Sequence, residues 1–205
     1  MAAIAGSVLL TAGGAMAAAV DCADVSTIRD WAALDGGCDI GDKNWTLNTE
    51  GENLLSATIH FSFIGSTYLM AISAFDNSDL AGAWTLNYTI SVLDPTFHIS
   101  DMFAGADNPG GGSLLTKDVT GDPGGAFSLT DTNGAEGPAA EKHGLTASAL
   151  TVDENFSVNA GSTLVSVSDT FFQKEVIKVP EPGSLLLLGG GLLGLGWFRR
   201  RGNRA

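Results

Sequence analysis

Alternation of apolar and polar residues dominates the middle of the chain. Trp84-Thr85-Leu86-Asn87-Tyr88-Thr89-Ile90-Ser91-Val92 places a large apolar side chain at every second position, the period of a half-buried strand. Thr58 to Phe63 does the same, with Ile59, Phe61 and Phe63 on one face. Leu93-Asp94-Pro95 ends the longer run and Thr96 to Phe103 begins another. Leu164-Val165-Ser166-Val167-Ser168 and Thr170 to Val176 read as two further strands, and Ala126 to Thr130 as a short one. Only Asp24 to Leu34 departs from this period. Val25, Ile28, Trp31 and Ala32 follow a weak helical spacing there, which predicts a short N-terminal helix. Gly105 to Gly144 is the loosest part, with ten glycines and three prolines and the turn signals Asp-Pro-Gly-Gly and Thr-Asn-Gly. Strands rich in Thr, Ser, Val, Phe and Trp between such turns predict a mostly β fold, an antiparallel β-sandwich with one polar and one apolar face per strand. No internal repeat of fixed period is present.

The two ends carry a different pattern. Ile4 to Ala17 is apolar or small throughout, and Ala15-Met16-Ala17 fits an A-x-A cleavage site, with Ala17-Ala18-Ala19 as a rival. Met1 to Ala17 therefore reads as a secretory signal peptide, although no Lys or Arg precedes its apolar region. At the other end Leu185 to Phe198 holds no charged residue. With Gly183 and Ser184 it reaches 16 residues, about 24 Å as a helix at ~1.5 Å per residue, a little short of the ~30 Å hydrocarbon core. Arg199, Arg200, Arg201 and Arg204 follow it. They act as a basic stop that holds this end on the cytoplasmic side, and Trp197 suits the interface. A buried core helix is the competing reading of such a run. The clustered arginines, with nothing after them to pack against, favour a single transmembrane helix. Pro180 and Pro182 keep Val179 and Glu181 extended, a stiff peptide that a processing enzyme can hold in a groove.

The residues Val179-Pro180-Glu181-Pro182-Gly183-Ser184, followed by this apolar run and the arginines, resemble the PEP-CTERM sorting signal of Gram-negative bacteria. The resemblance covers residues 179–205. It implies an exosortase as partner, a membrane-embedded, cysteine transpeptidase-like enzyme that removes the tail during export. The chain would then be membrane-anchored before processing and outside the inner membrane afterwards. Gly37-Cys38-Asp39-Ile40-Gly41-Asp42-Lys43 likewise resembles a cysteine-containing motif found near the N-terminus of many PEP-CTERM proteins.

Removing both ends leaves an ectodomain of residues 18–178, large enough for one core. It holds 22 Asp/Glu against 6 Lys/Arg, and the whole chain has a net charge of −13. Such a surface disfavours nucleic acid, whose phosphates are bound by Lys and Arg. Cys22 and Cys38 are the only cysteines. In an oxidising compartment they are expected to pair. A free-thiol or metal role competes, but two cysteines with no histidine nearby make a poor zinc site.

Catalytic chemistry is represented mainly by absence. No Gly-x-Ser-x-Gly elbow, His-Glu-x-x-His helix or Walker loop occurs. Gly189-x-Gly191-x-x-Gly194 matches a dinucleotide fingerprint but sits inside the apolar tail without a preceding strand, and Gly190-x-x-x-Gly194 offers a small-residue face to another membrane helix. His60, His98 and His143 are scattered, and His60 falls on the polar face of its strand. Asp76-Asn77-Ser78-Asp79 and Asp131-Thr132-Asn133-Gly134 could offer oxygens to calcium, yet Asx turns explain both. Asn44-Trp45-Thr46, Asn87-Tyr88-Thr89 and Asn155-Phe156-Ser157 match the glycosylation triplet. No cofactor or metal is expected. The favoured reading is an exported structural or interaction protein of the cell surface, or of the exopolysaccharide matrix of a biofilm, and not an enzyme. The alternatives are a secreted carbohydrate-binding module, with Trp31, Trp45 and Trp84 as candidates for an aromatic platform although Trp84, at the head of an alternating strand, is expected to pack in the core, and a secreted hydrolase using a carboxylate pair.

Overall fold

The described residues of the computed structural model (19–51, 54–73, 83–107, 112–132, 138–158 and 165–177) fold into twelve strands and one α-helix. The strands are β1 (Val20–Asp21), β2 (Cys38–Ile40), β3 (Lys43–Glu50), β4 (Thr58–Ile64), β5 (Thr67–Ser73) and β6 (Trp84–Val92), then β7 (Phe97–Asp107), β8 (Ser113–Thr120), β9 (Phe127–Thr132), β10 (Glu141–Ala147), β11 (Ala149–Val158) and β12 (Ser166–Glu175). The helix is α1 (Ile28–Ala32). The predicted signal peptide, the sorting residues Val179 to Gly183, the apolar run Leu185 to Phe198, the four terminal arginines and the Asp76–Asp79 turn lie outside the described residues. Among the described residues no helix is long and apolar enough to cross a membrane. The chain divides into two units, Met1–Lys174 and Glu175–Ala205.

The strands form two sheets, one of seven in the order β1-β2-β3-β6-β11-β8-β9 and one of five in the order β10-β7-β12-β5-β4. Apart from the short parallel pair β1–β2, the registered pairs are antiparallel. From β5 onward the chain crosses between sheets at every step except the β8–β9 hairpin. The order β6-β11-β8-β9 facing β5-β12-β7-β10 is the eight-strand arrangement of a jelly roll. β4 widens the smaller sheet, and β1 to β3 widen the larger.

Period-two patterning explains why this sequence folds this way. Trp84, Leu86, Tyr88 and Ile90 of β6 in the larger sheet are all buried, as are Ile59 and Phe61 of β4 and Tyr68, Met70 and Ile72 of β5 in the smaller sheet, and all belong to one core. The opposite face of the larger sheet is polar. There Asn48 donates to Asn87 Oδ1 at 2.7 Å and to Thr89 Oγ1 at 3.0 Å, and Thr89 meets Thr151 at 3.1 Å. These cross-strand pairs hold the register on the wet side.

Two predicted strands, Leu164–Ser168 and Thr170–Val176, are one: β12 runs through Asp169 without a break. Asp169, which falls between the two predicted segments, is fully buried. The glycine-rich Gly105 to Gly144 stretch also contains a core strand, β8, whose Leu115 and Val119 are buried.

The N-terminal segment closes one end of the core. Thr27 and Asp30 form a reciprocal capping box at the start of α1, and Trp31 is buried with its indole N–H donating to Trp45 O at 3.1 Å. Trp31 meets Phe61 edge-on at 5.3 Å between centroids, a favourable aromatic geometry. Cys22 and Cys38 form a disulfide across this cap, both fully buried. Gly37 beside it has φ +82°, and a Cβ there would stand 2.1 Å from Trp45 O. Only glycine fits that approach.

Candidate functional site

The tryptophans proposed as a sugar platform do not form one. Trp31 and Trp45 are fully buried and Trp84 is 4% exposed. Each sits at an inward position, where burial of a large ring outweighs display. His60 is exposed, as its strand position predicts. Among the described residues no group of three His, Cys, Asp or Glu is placed to hold a metal ion.

Two arrangements stand out instead, one inside the sandwich and one on its surface. Inside, Lys117 of β8 is fully buried and donates to Glu154 Oε1 of β11 at 2.7 Å and to Asp169 Oδ1 of β12 at 2.6 Å. Tyr88 of β6 donates its hydroxyl to the second Asp169 oxygen at 2.6 Å. Lys117 and Glu154 are direct partners in the β8–β11 register, while Asp169 reaches them from the facing sheet. Glu154 Oε2 is buried with no hydrogen-bond partner among the described residues. Burial, then the neighbouring Asp169 charge, pushes the Glu154 carboxyl well above its ordinary pKa. Burial pulls the Lys117 ammonium down, but the two carboxylates more than offset it and its pKa ends above the usual value. The Tyr88 hydroxyl is likewise raised, by burial and then by the same carboxylates. One cation and two acids thus share a dry site that, without close pairing, would cost several kcal/mol per ion.

A second buried lysine closes the neighbouring end of the core. Lys43 donates to Asp42 Oδ1 and to Gln173 Oε1, both at 2.5 Å, and lies 4.3 Å from the centre of the Tyr68 ring. Tyr68 also donates to Asp42. Burial lowers the Lys43 pKa against the pull of Asp42. Burial first, then Asp42, raises that of Tyr68.

On the surface, the outward face of β10, β7 and β12 carries a shallow trough lined by Phe103, Glu141, Ser168, Thr170 and Phe172, and a separate depression lies by Ser100, Asp101, Gly144 and Lys174. Phe103 meets Phe172 at 5.3 Å and His143 at 5.3 Å, both edge to face. His143 is held between two carboxylates, with Nδ1 2.8 Å from Asp101 and Nε2 3.2 Å from Glu141. Hydrogen bonding to Asp101, then to Glu141, raises its pKa above the ordinary imidazole value. Burial pushes Asp101 up, but hydrogen bonds from Ser100 and His143 outweigh it and leave the carboxyl below its usual range. Gly144, at φ +72°, sits in an irregularity of the β10–β7 register between His143 and Ala147, the kind of bulge that re-aims side chains. Ser100 donates its hydroxyl to Asp101 Oδ2 at 2.6 Å.

Comparison with known proteins adds one firm finding. Residues 178–201 match the PEP-CTERM protein-sorting motif, and that range contains the Pro180-Glu181-Pro182 element, the apolar run and the first three arginines of the terminal cluster. No curated protein matches the chain. Among solved structures, TmCBM61 in complex with beta-1,4-galactotriose is similar at a TM-score of 0.38 and 11% identity, over 64% of this chain and 88% of that one. A likeness that weak fixes neither fold nor ligand.

Proposed function

We propose that this chain, which carries a PEP-CTERM sorting signal at its C-terminal end, is exported and held in the inner membrane by Leu185 to Phe198. An exosortase then removes the tail, and the sandwich is delivered to the outer surface or to the exopolysaccharide matrix as a structural or interaction protein without catalytic activity. The sorting match is the observation that carries the reading. The buried Cys22–Cys38 disulfide supports it, because such bonds persist in oxidising compartments outside the cytoplasm. The acidic body supports it as well, since excess like charge keeps an exported domain soluble.

The test is to replace Pro180, Glu181 and Pro182 together by alanine and follow the chain in membrane and outer fractions of the native host. Export should continue while the uncut precursor accumulates in the inner membrane. Normal cutting and release of that variant would contradict the reading.

Carbohydrate binding is a second reading, favoured by the trough that sets Phe103 and Phe172 beside Glu141 of β10 and Ser168 and Thr170 of β12. Aromatic rings with nearby hydrogen-bonding side chains suit a sugar face and its hydroxyls. On this reading the wild-type body is retained on the host's purified exopolysaccharide and a Phe103→Ala/Phe172→Ala variant is not. Equal retention of the two would remove it.

A further inference from the structure

We propose that Lys117 and Asp169 become joined by an intramolecular isopeptide bond, from Nζ to Cγ, with Glu154 carrying the protons. Four observations converge on this. Lys117 Nζ lies 2.6 Å from Asp169 Oδ1, which brings the nitrogen close to the roughly 3–3.5 Å separation from the carboxyl carbon at which attack begins. Lys117, Glu154 and Asp169 are each fully buried, so water neither competes with the amine nor hydrolyses the product. Tyr88 donates to Asp169 Oδ2 at 2.6 Å, placing a fixed donor on the oxygen that gains charge when the carbon is attacked. Glu154 touches the amine through Oε1 at 2.7 Å, while its Oε2 has no partner among the described residues. A protonated Glu154 therefore has one oxygen to accept a proton and another to give one up.

The step balances without a co-reactant. Lys117 passes a proton to Asp169 Oδ1 along their hydrogen bond, giving a neutral amine beside a neutral acid. The nitrogen lone pair then forms the Nζ–Cγ bond, and the carbonyl electrons move onto Oδ2 under the Tyr88 hydroxyl. Glu154 gives its proton to Oδ1, which leaves as water as the carbonyl reforms, and takes one proton from the nitrogen. One C–N bond forms, one C–O bond breaks, one water departs, and nothing is oxidised or reduced. Glu154 ends in its starting state.

The driving force is in the core itself. An ion pair held in a dry interior bears the desolvation cost of both charges, and condensation replaces them with a neutral amide that stays hydrogen-bonded. The bond would link β8 in the larger sheet to β12 in the smaller. It would also pin the strand that directly precedes the sorting segment in sequence.

Tryptic digestion of the purified full chain, followed by tandem mass spectrometry, tests the proposal. Expected is the Asp169-bearing peptide His143–Lys174 cross-linked through Lys117, lighter than the two separate peptides by one water, with cleavage after Lys117 blocked. Free Lys117 and Asp169 peptides as the main species from folded wild-type protein would overturn it. Glu154→Gln should lose most of the link while keeping both partners, and wild-type levels of link in that variant would overturn the role given to Glu154. Should the variant not fold, the wild-type digest decides alone.

Discussion

Replacing Lys117 by methionine is expected to cost about 3–5 kcal/mol of folding stability. The methionine fills much of the volume, yet it leaves Glu154 and Asp169 in the core without the Lys117 nitrogen, whether as the cation that both accept from or as the amide proposed to form from it. Two carboxyl groups deprived of their donor keep their desolvation cost, and that uncompensated burial outweighs any gain from an added thioether. For a domain of this size the loss corresponds to a fall in Tm of roughly 6–20 °C, read by thermal unfolding. Replacing all members of the network with apolar groups, as Lys117→Met, Glu154→Leu, Asp169→Leu and Tyr88→Phe together, should give a protein that melts well above the single variant. An unchanged Tm in Lys117→Met would mean that water reaches the site in solution.

Loss of the Cys22–Cys38 disulfide should have the next largest effect. The bond spans 16 positions of sequence, and closing a loop of that size stabilises by about 3 kcal/mol on the chain-entropy account. Its neighbours give the segment few other ways to hold its place. β1 has two residues and β2 three, and Gly37 is pressed against the Trp45 carbonyl. A Cys22→Ser/Cys38→Ser chain should unfold at distinctly lower denaturant, and reductant should move the wild-type midpoint the same way. Coincident midpoints would show that the cap holds by packing alone, through Trp31 and the capping box.

Much of the sandwich was legible because its signal is local. Trp84 to Val92 alternates without a break and becomes β6 with those bounds. Thr58 to Phe63 becomes most of β4. The charged core was illegible for the reason that makes it chemically interesting. Lys117 sits between Leu115 and Val119, Glu154 between Val152 and Phe156, and Asp169 between Val167 and Phe171, each at the middle of an inward-facing row. A charge at such a position breaks the apolar alternation, so β8 and β11 went unread and β12 was cut in two at Asp169. An apolar residue two places to either side of a lone charge was the available signal. Its partners, however, lie 37 and 52 residues away from Lys117, and only the topology brings them together. The surface trough is similar: Phe103, His143 and Phe172 belong to three strands, and no spacing within one of them points to the others. Trp84, at the head of an alternating strand, is buried as that pattern predicts, and Trp31 and Trp45 follow it into the core because a large ring is worth most when buried. The sorting segment needed no fold at all, because a stiff proline pair, an apolar run and a basic end are contiguous.

On the proposed function, the carboxyl end directs this protein out of the cell and is then discarded. Mass spectrometry of the mature protein from its native host, reading both ends of the chain, decides this. The predicted product begins just after the Ala15–Ala19 region and stops near Val179 to Ser184, with Leu185 to Arg204 gone. A cytoplasmic chain still carrying Arg199, Arg200, Arg201 and Arg204 would contradict it.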